Sequence, residues 1–352
     1  MTAPAPATAP RVRRRWGLLV VALLGMVLIP QLAAIIVPVT RSLLLVLPAL
    51  GALMLAGWVA GGSLALALAW GSVAVLAVVW PPPSSGFDLV QRGWAVALSA
   101  LFGVVVLLQV RGGKSIRFLA PALLAVGAAV TGAATLALLT RGANERLATL
   151  LQGEYAERIA KPVAVWEAYF ASSEWTQAAA KSPAMAEVGT DFLAQLRALP
   201  AMAVAYARVG PAMLALESLA ALAVAWALYH RLGRRPLGPA LGALRDFRFS
   251  DHLVWGLAVG LTLLVLPDLP GVVPLGLNLL VFFGALHALR GLGVLAWFFK
   301  PGRMATVLLV LASLLALPVA APALLAVALG LGVGDTWLDW RNRARPSPQS
   351  SE

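Results

Sequence analysis

"LGLNLLVFFGALHALRGLGVLAWF", residues 275–298, carries His287 and Arg290 as its only ionisable groups. A helix of this length, at 1.5 Å per residue, reaches about 36 Å, enough to cross roughly 30 Å of hydrocarbon. The apolar run is continuous and rich in Leu, Ala and Gly. That pattern reads as a membrane helix rather than as one of the alternating strands of a membrane barrel. The rest of the chain repeats it. Of 352 residues, 61% are hydrophobic and 12% are charged. A soluble domain carries roughly 25% charge, so this chain has too little to cover a globular surface. The expected fold class is all-α, a polytopic helical membrane protein.

Working outward from 275–298, further apolar runs fall at 16–37, 42–58, 62–80, 93–110, 116–139, 206–229 and 252–267. A last run, 304–333, is interrupted by "PVAAP" at 318–322 and reads as two short helices, because two prolines close together end a helix. Ten spans result, with eight or nine if a short pair is re-entrant. With ten spans and both termini inside, seventeen Lys and Arg fall in inner segments and eight in outer ones. That asymmetry follows the positive-inside rule and accounts for the net charge of +12. There is no basic stripe interleaved with aromatics, so no nucleic-acid partner is expected. The location expected is the bacterial cytoplasmic membrane, with the lipid bilayer as first partner.

The expected organisation is a disordered basic tail (1–15), a membrane half (16–139), a polar insert (140–205), a second membrane half (206–340) and a disordered tail (341–352). The insert carries six basic and seven acidic residues, with apolar positions at helical spacing. It reads as two or three amphipathic helices on the outer face, either capping the membrane domain or lying flat in the interface. Trp166, Tyr169, Phe170 and Trp175 suit the interface.

Several chemistries are excluded. The chain has no cysteine, hence no disulfide, thiolate or cysteine-ligated metal. "GGKS" at 112–115 lacks the earlier glycine of a phosphate loop, since position 108 is leucine. His230, His252 and His287 make no ligand spacing with carboxylates. No cofactor and no catalytic set are expected. Gly57/Gly61, Gly256/Gly260 and Gly330/Gly334 have the four-residue spacing that lets helix backbones approach.

The intramembrane polar residues are the candidate site. Glu217 lies mid-way along 206–229 and shares a helical face with Gly210, Met213, Ala220, Ala221 and Val224. A carboxylate at that depth is costly and is expected to face the bundle and find a partner. His287 lies at matching depth on 275–298, with Arg290 one turn nearer the inner end, in reach of Glu217 or Asp335. Glu217, His287 and Arg290 therefore form the expected polar site. Asn278 falls on the opposite side of its helix, and with Asp335, Asp339 and Arg341 it completes the set of structural or ligand contacts.

From Phe249 onward the sequence resembles the YybS-like family of bacterial membrane proteins (domain of unknown function 2232). Three stretches carry the likeness: "FRFSDHLVWGLAVGLTLL", Asn278 within "GLNLLVFFGALHALRGLGVL", and the closing "LGLGVGDTWLDWRNR". Arg290-Gly291 stands where the family has a Gln-Gly pair. The resemblance implies an architecture similar to the membrane-embedded substrate-binding subunits of energy-coupling-factor vitamin transporters. On that analogy the first functional expectation is a small-solute binding or transport component. The second is a non-catalytic scaffold whose basic loops, above all 230–248, dock a cytoplasmic or membrane partner protein or anionic lipid. An intramembrane enzyme would need His287 and Glu217 as acid and base.

Overall fold

The computed structural model describes residues 39–113, 116–198, 208–266, 272–299 and 317–343. The expected first span (16–37) and residues 304–316 of the last run lie outside them. Every regular element among the described residues is helical: α1 (Val39–Val59), α2 (Leu64–Val79), α3 (Gly86–Arg111), α4 (Leu119–Leu139), α5 (Ala143–Phe170), α6 (Ser173–Lys181), α7 (Pro183–Ala198), α8 (Gly210–Leu232), α9 (Val254–Val265), α10 (Val272–Phe299), α11 (Leu317–Leu338) and α12 (Trp340–Arg343). Four of these, α3, α4, α8 and α10, are long and apolar enough to cross a membrane. The apolar stretches within α1, α2, α9 and α11 are shorter, and twelve-residue α9 spans about 18 Å at 1.5 Å per residue. The all-α class holds, and the structure does not bear out a count of ten spans.

Serines start three helices. Ser63, Ser85 and Ser172 each accept a bond from the backbone N–H three residues on, satisfying one of the donors a helix start leaves open. The prolines of "PVAAP" behave differently from expectation. Pro318 and Pro322 lie inside the first two turns of α11, which continues through them to Leu338. Pro318 in the first turn interrupts little, because its missing N–H has no partner there anyway.

The helices form two packed groups. In the first, α1 packs on α2, α3 and α8, and α4 bridges α3 and α8. Its core is made of large apolar side chains, among them Leu45, Leu50, Leu53, Leu98, Phe102, Leu222 and Trp226. Phe102, Phe118 and Trp226 pack with ring centroids 5.9–6.5 Å apart. In the second group, α10 packs on α9 and α11, and α8 joins α10 to the first group. Here glycines carry the contact. A Cβ on Gly291 would overlap the carbonyl oxygen of Ala328, and one on Gly332 would overlap that of His287. Gly260 and Gly276 bring α9 and α10 together in the same way. Of the expected glycine pairs, Gly256 and Gly260 do face α10, while Gly330 faces open space and its neighbour Gly332 makes the contact.

Alternate helix ends collect at one pole. Gly61, at the end of α1, approaches Arg235 beyond the end of α8. Gly238 packs on Ile116, between α3 and α4. Arg111, Arg117, Arg231, Arg234, Arg235, Arg245, Arg248, Arg341 and Arg343 all belong to this pole, which we call the basic end. At the opposite end α5–α7 meet α3 and α4. Trp166, Tyr169, Phe170, Trp175 and Phe192 pack ring on ring at 4.6–5.9 Å, giving the insert a small core of its own. The flanks of the bundle expose large aliphatic side chains, such as Leu68, Val75, Leu76 and Val79 on α2 and Leu136, Leu138 and Leu139 on α4. Exposed apolar surface of that extent requires a non-aqueous neighbour.

Candidate functional site

The polar residues of α10 and α11 meet near the basic end. Arg290 is 3% exposed, Asp335 0% and Arg341 1%. Arg290 donates from Nε to Asp335 Oδ2 (2.9 Å) and from Nη2 to the Asp335 carbonyl (3.0 Å). Arg341 donates from Nη2 to the same Oδ2 at 2.7 Å. One carboxylate thus lies between two guanidinium groups. Charge-assisted bonds of this kind are among the strongest available to side chains. The remaining positive charge is met by Asp251, whose Oδ1 accepts from Arg290 Nη1 at 2.7 Å and whose side chain reaches solvent.

The local backbone explains how Arg341 arrives there. Asp339 ends α11 with φ at +43°, in the left-handed region. Aspartate is one of the few residues that tolerates this conformation, and it commonly reverses a chain just past a helix end. The reversal folds Trp340–Arg343 back as α12, and Arg341 turns inward. Residues 341–343, expected as the start of a disordered tail, are helical for this reason. Arg341 Nη1 also donates to the carbonyls of Arg245 (3.0 Å) and Phe247 (3.1 Å). Arg248 pairs with Asp339 at 3.1 Å. Residues 244–253 are therefore tied down at four points as a strap across α10, α11 and α12.

His287 lies one turn deeper. It is fully buried, with Nδ1 2.8 Å from the Phe283 carbonyl, which places its proton on that nitrogen. Nε2 has no hydrogen-bond partner. The ring stands edge-on to Phe249 of the strap at 5.0 Å, and the Arg290 guanidinium lies over the same phenyl ring at 5.3 Å. The strap thus closes over both residues.

The expected contact between Glu217 and His287 does not form. Glu217 is exposed on α8 along with Met213, Ala220 and Val224, so most of the stripe read as inward-facing looks outward. The inward face is Ala212, Ala215, Ser218, Leu222, Trp226 and Tyr229, whose larger side chains fill the core against α1 and α10. At mid-helix α8 turns Ser218 inward in place of Glu217, and Ser218 accepts from Trp94 Nε1 at 2.8 Å. Asn278 sits at the other end of the bundle. Its Oδ1 accepts from Ala212 N, and its Nδ2 donates to the carbonyls of Arg208 and Pro274 at 2.7–2.8 Å. It pins the start of α8 to α10. Of the sequence-expected residues, then, the structure gathers His287, Arg290, Asp335, Asp339 and Arg341, and leaves Glu217 and Asn278 elsewhere.

Sequence reasoning missed Asp251, Arg245, Arg248 and Phe249. All four lie in a segment without helical periodicity, marked only by the density of aromatic and charged residues in "LRDFRFSDH" and by the family likeness that begins there. Among the described residues no group of three His, Asp or Glu side chains is placed to hold a metal ion. Arg290, Asp335, Asp251 and Arg341 donate to and accept from one another, an arrangement that fixes the helices and the strap.

Helical content, the exposed apolar flanks and the spanning helices together define a multi-pass helical membrane protein. Comparison with known proteins agrees: residues 167–336 match the family model for a predicted membrane protein (DUF2232). The match covers just under half of the chain. It starts earlier than the resemblance read from Phe249 onward, inside α5, and takes in α6–α10 and most of α11. It ends before Asp339 and Arg341. The YybS-like kinship stays a resemblance. No curated protein and no solved structure matches the chain.

Proposed function

We propose that this protein is a non-catalytic membrane scaffold whose basic end docks anionic lipid headgroups on the cytoplasmic side of a bacterial inner membrane. The observation that carries this reading is the buried Arg290–Asp335–Arg341 network. It holds the strap and α12, which carries the exposed Arg343, while Arg234 and Arg235 stand exposed at the same end of the bundle beyond α8. Basic residues at a membrane boundary gain roughly 1 kcal/mol each from an anionic leaflet. The positive-inside rule supports the same orientation, with both termini cytoplasmic.

The transport reading needs a polar cavity shared by Glu217, His287 and Arg290. Glu217 faces outward, and the other two are closed under Phe249, so the geometry favours docking. The test uses the full chain in nanodiscs of phosphatidylcholine with or without phosphatidylglycerol. The anionic lipid raises the melting temperature of the native chain. A variant with Arg234, Arg235 and Arg343 changed to Gln loses most of that rise. An equal rise in both proteins overturns the reading.

A further inference from the structure

Between the strap and α12 lies a cleft of about 210 Å³, lined by Arg245, Asp246, Arg248, Trp297, Arg341 and Asn342. Pockets for drug-sized ligands run to roughly 300–1,000 Å³, so this one suits a single small group. Three guanidinium groups face one carboxylate across it. Arg245 and Asp246 are both largely exposed and only loosely paired, at 3.6 Å. Arg248 reaches Asp339 and, at 3.4 Å, Asn342 Oδ1, and a third of its side chain remains exposed. These two arginines therefore keep donors available.

Arg341 supplies the second, independent observation. It is 1% exposed and spends both terminal nitrogens on Asp335 and the strap carbonyls, yet its Nε–H has no acceptor. A buried N–H left unpaired costs free energy, and native structures contain few of them. The donor belongs to a residue that forms a wall of the cleft. The rim is apolar as well as basic. Trp297 forms one wall, and Phe298, Phe299 and Leu244 are exposed near it. Tryptophan beside exposed apolar side chains and arginines is the composition of the headgroup level of a bilayer.

We propose that this cleft is a binding site for one phosphate ester, supplied by the headgroup of an anionic glycerophospholipid. Guanidinium groups match phosphate oxygens through paired N–H donors. Arg245 and Arg248 take the phosphate from the open side, and Arg341 forms the closed wall behind them. The acyl chains then run along Trp297, Phe298 and Phe299 into the bilayer. The proposal rests on the docking reading only for the side of the membrane that the basic end faces.

The full chain in a neutral detergent is titrated with short-chain phosphatidylglycerol, short-chain phosphatidylcholine, glycerol phosphate and inorganic phosphate. Native mass spectrometry reads the stoichiometry, and the melting temperature reads the affinity. One phosphatidylglycerol per chain is expected, bound about tenfold or more tightly than phosphatidylcholine. Weaker binding of glycerol phosphate assigns the site to lipid. Equal binding assigns it to a free phosphate ester. Changing Arg245 and Arg248 to Gln weakens binding by about tenfold or more, each variant read against its own ligand-free melting temperature. Asn342→Asp, which adds a carboxylate to the cleft, weakens it too. No saturable binding of any phosphate ester, equal affinity for the two lipids, or undiminished binding in both variants overturns the site. Loss of cleft binding alone leaves the docking role of Arg234, Arg235 and Arg343 standing, and the converse result leaves the site standing.

Discussion

The two helix groups solve the same packing problem by opposite means. Around α1, α3 and α8 the contact is made of bulk: Leu50, Phe102, Leu222 and Trp226 interdigitate in a broad apolar core. Between α10 and α11 it is made of absence, with Gly291 and Gly332 letting one backbone rest on the other. Lipid tails are as apolar as leucine, so neither group is driven together by the hydrophobic effect inside the membrane. The first relies on many small dispersion contacts. The second relies on close backbone approach and then locks it with the Arg290–Asp335–Arg341 ions. A core made of bulk tolerates exchange of one bulk for another. A glycine contact and an ion lock tolerate almost nothing.

That difference is open to attack by substitution. The largest effect is expected from Asp335→Ala, which strands two buried guanidinium groups. Breaking a buried ion network by removing one partner typically costs about 3–5 kcal/mol, read here as a fall in melting temperature and as proteolysis near the freed strap. Next comes Gly332→Ala, whose new methyl group meets backbone rather than a side chain that can move. An overpacking cost of about 1–3 kcal/mol is expected, again by thermal melting. Leu222→Met in the first group conserves volume and should cost less than about 1.5 kcal/mol. Glu217→Gln comes last. On an exposed face away from the ion network it should shift stability by no more than about 0.5 kcal/mol and leave lipid binding unchanged. If Leu222→Met proves as harmful as Gly332→Ala, the contrast between the groups fails.

Much of the fold was legible because membrane solvent imposes a length rule. Four apolar runs long enough to span, 93–110, 116–139, 206–229 and 275–298, appear as α3, α4, α8 and α10 with ends moved by a few residues. The reach from Arg290 to Asp335 was legible too, because a buried arginine in a span must find an acid and few lie within range. The facing of Glu217 was not. In a soluble helix the polar side points to water, but in this protein both sides of α8 are apolar, and the wheel identifies a stripe without saying which way it turns. The two stripes differ mainly in side-chain size, and each carries a polar group, Glu217 outward and Ser218 inward. The strap was illegible for another reason: residues 244–253 have no period, and their positions are set by Arg341, which lies almost a hundred residues further on.

The central claim is that Arg290, Asp335 and Arg341 act as one lock on the second helix group. A double-mutant cycle on Asp335→Asn and Arg341→Gln, measured by reversible unfolding in bicelles, tests it most directly. Residues in one ion network show coupling of about 0.5–3 kcal/mol, and for this pair we expect a value in the upper half of that range. Additivity of the two substitutions, within about 0.3 kcal/mol, would contradict the account.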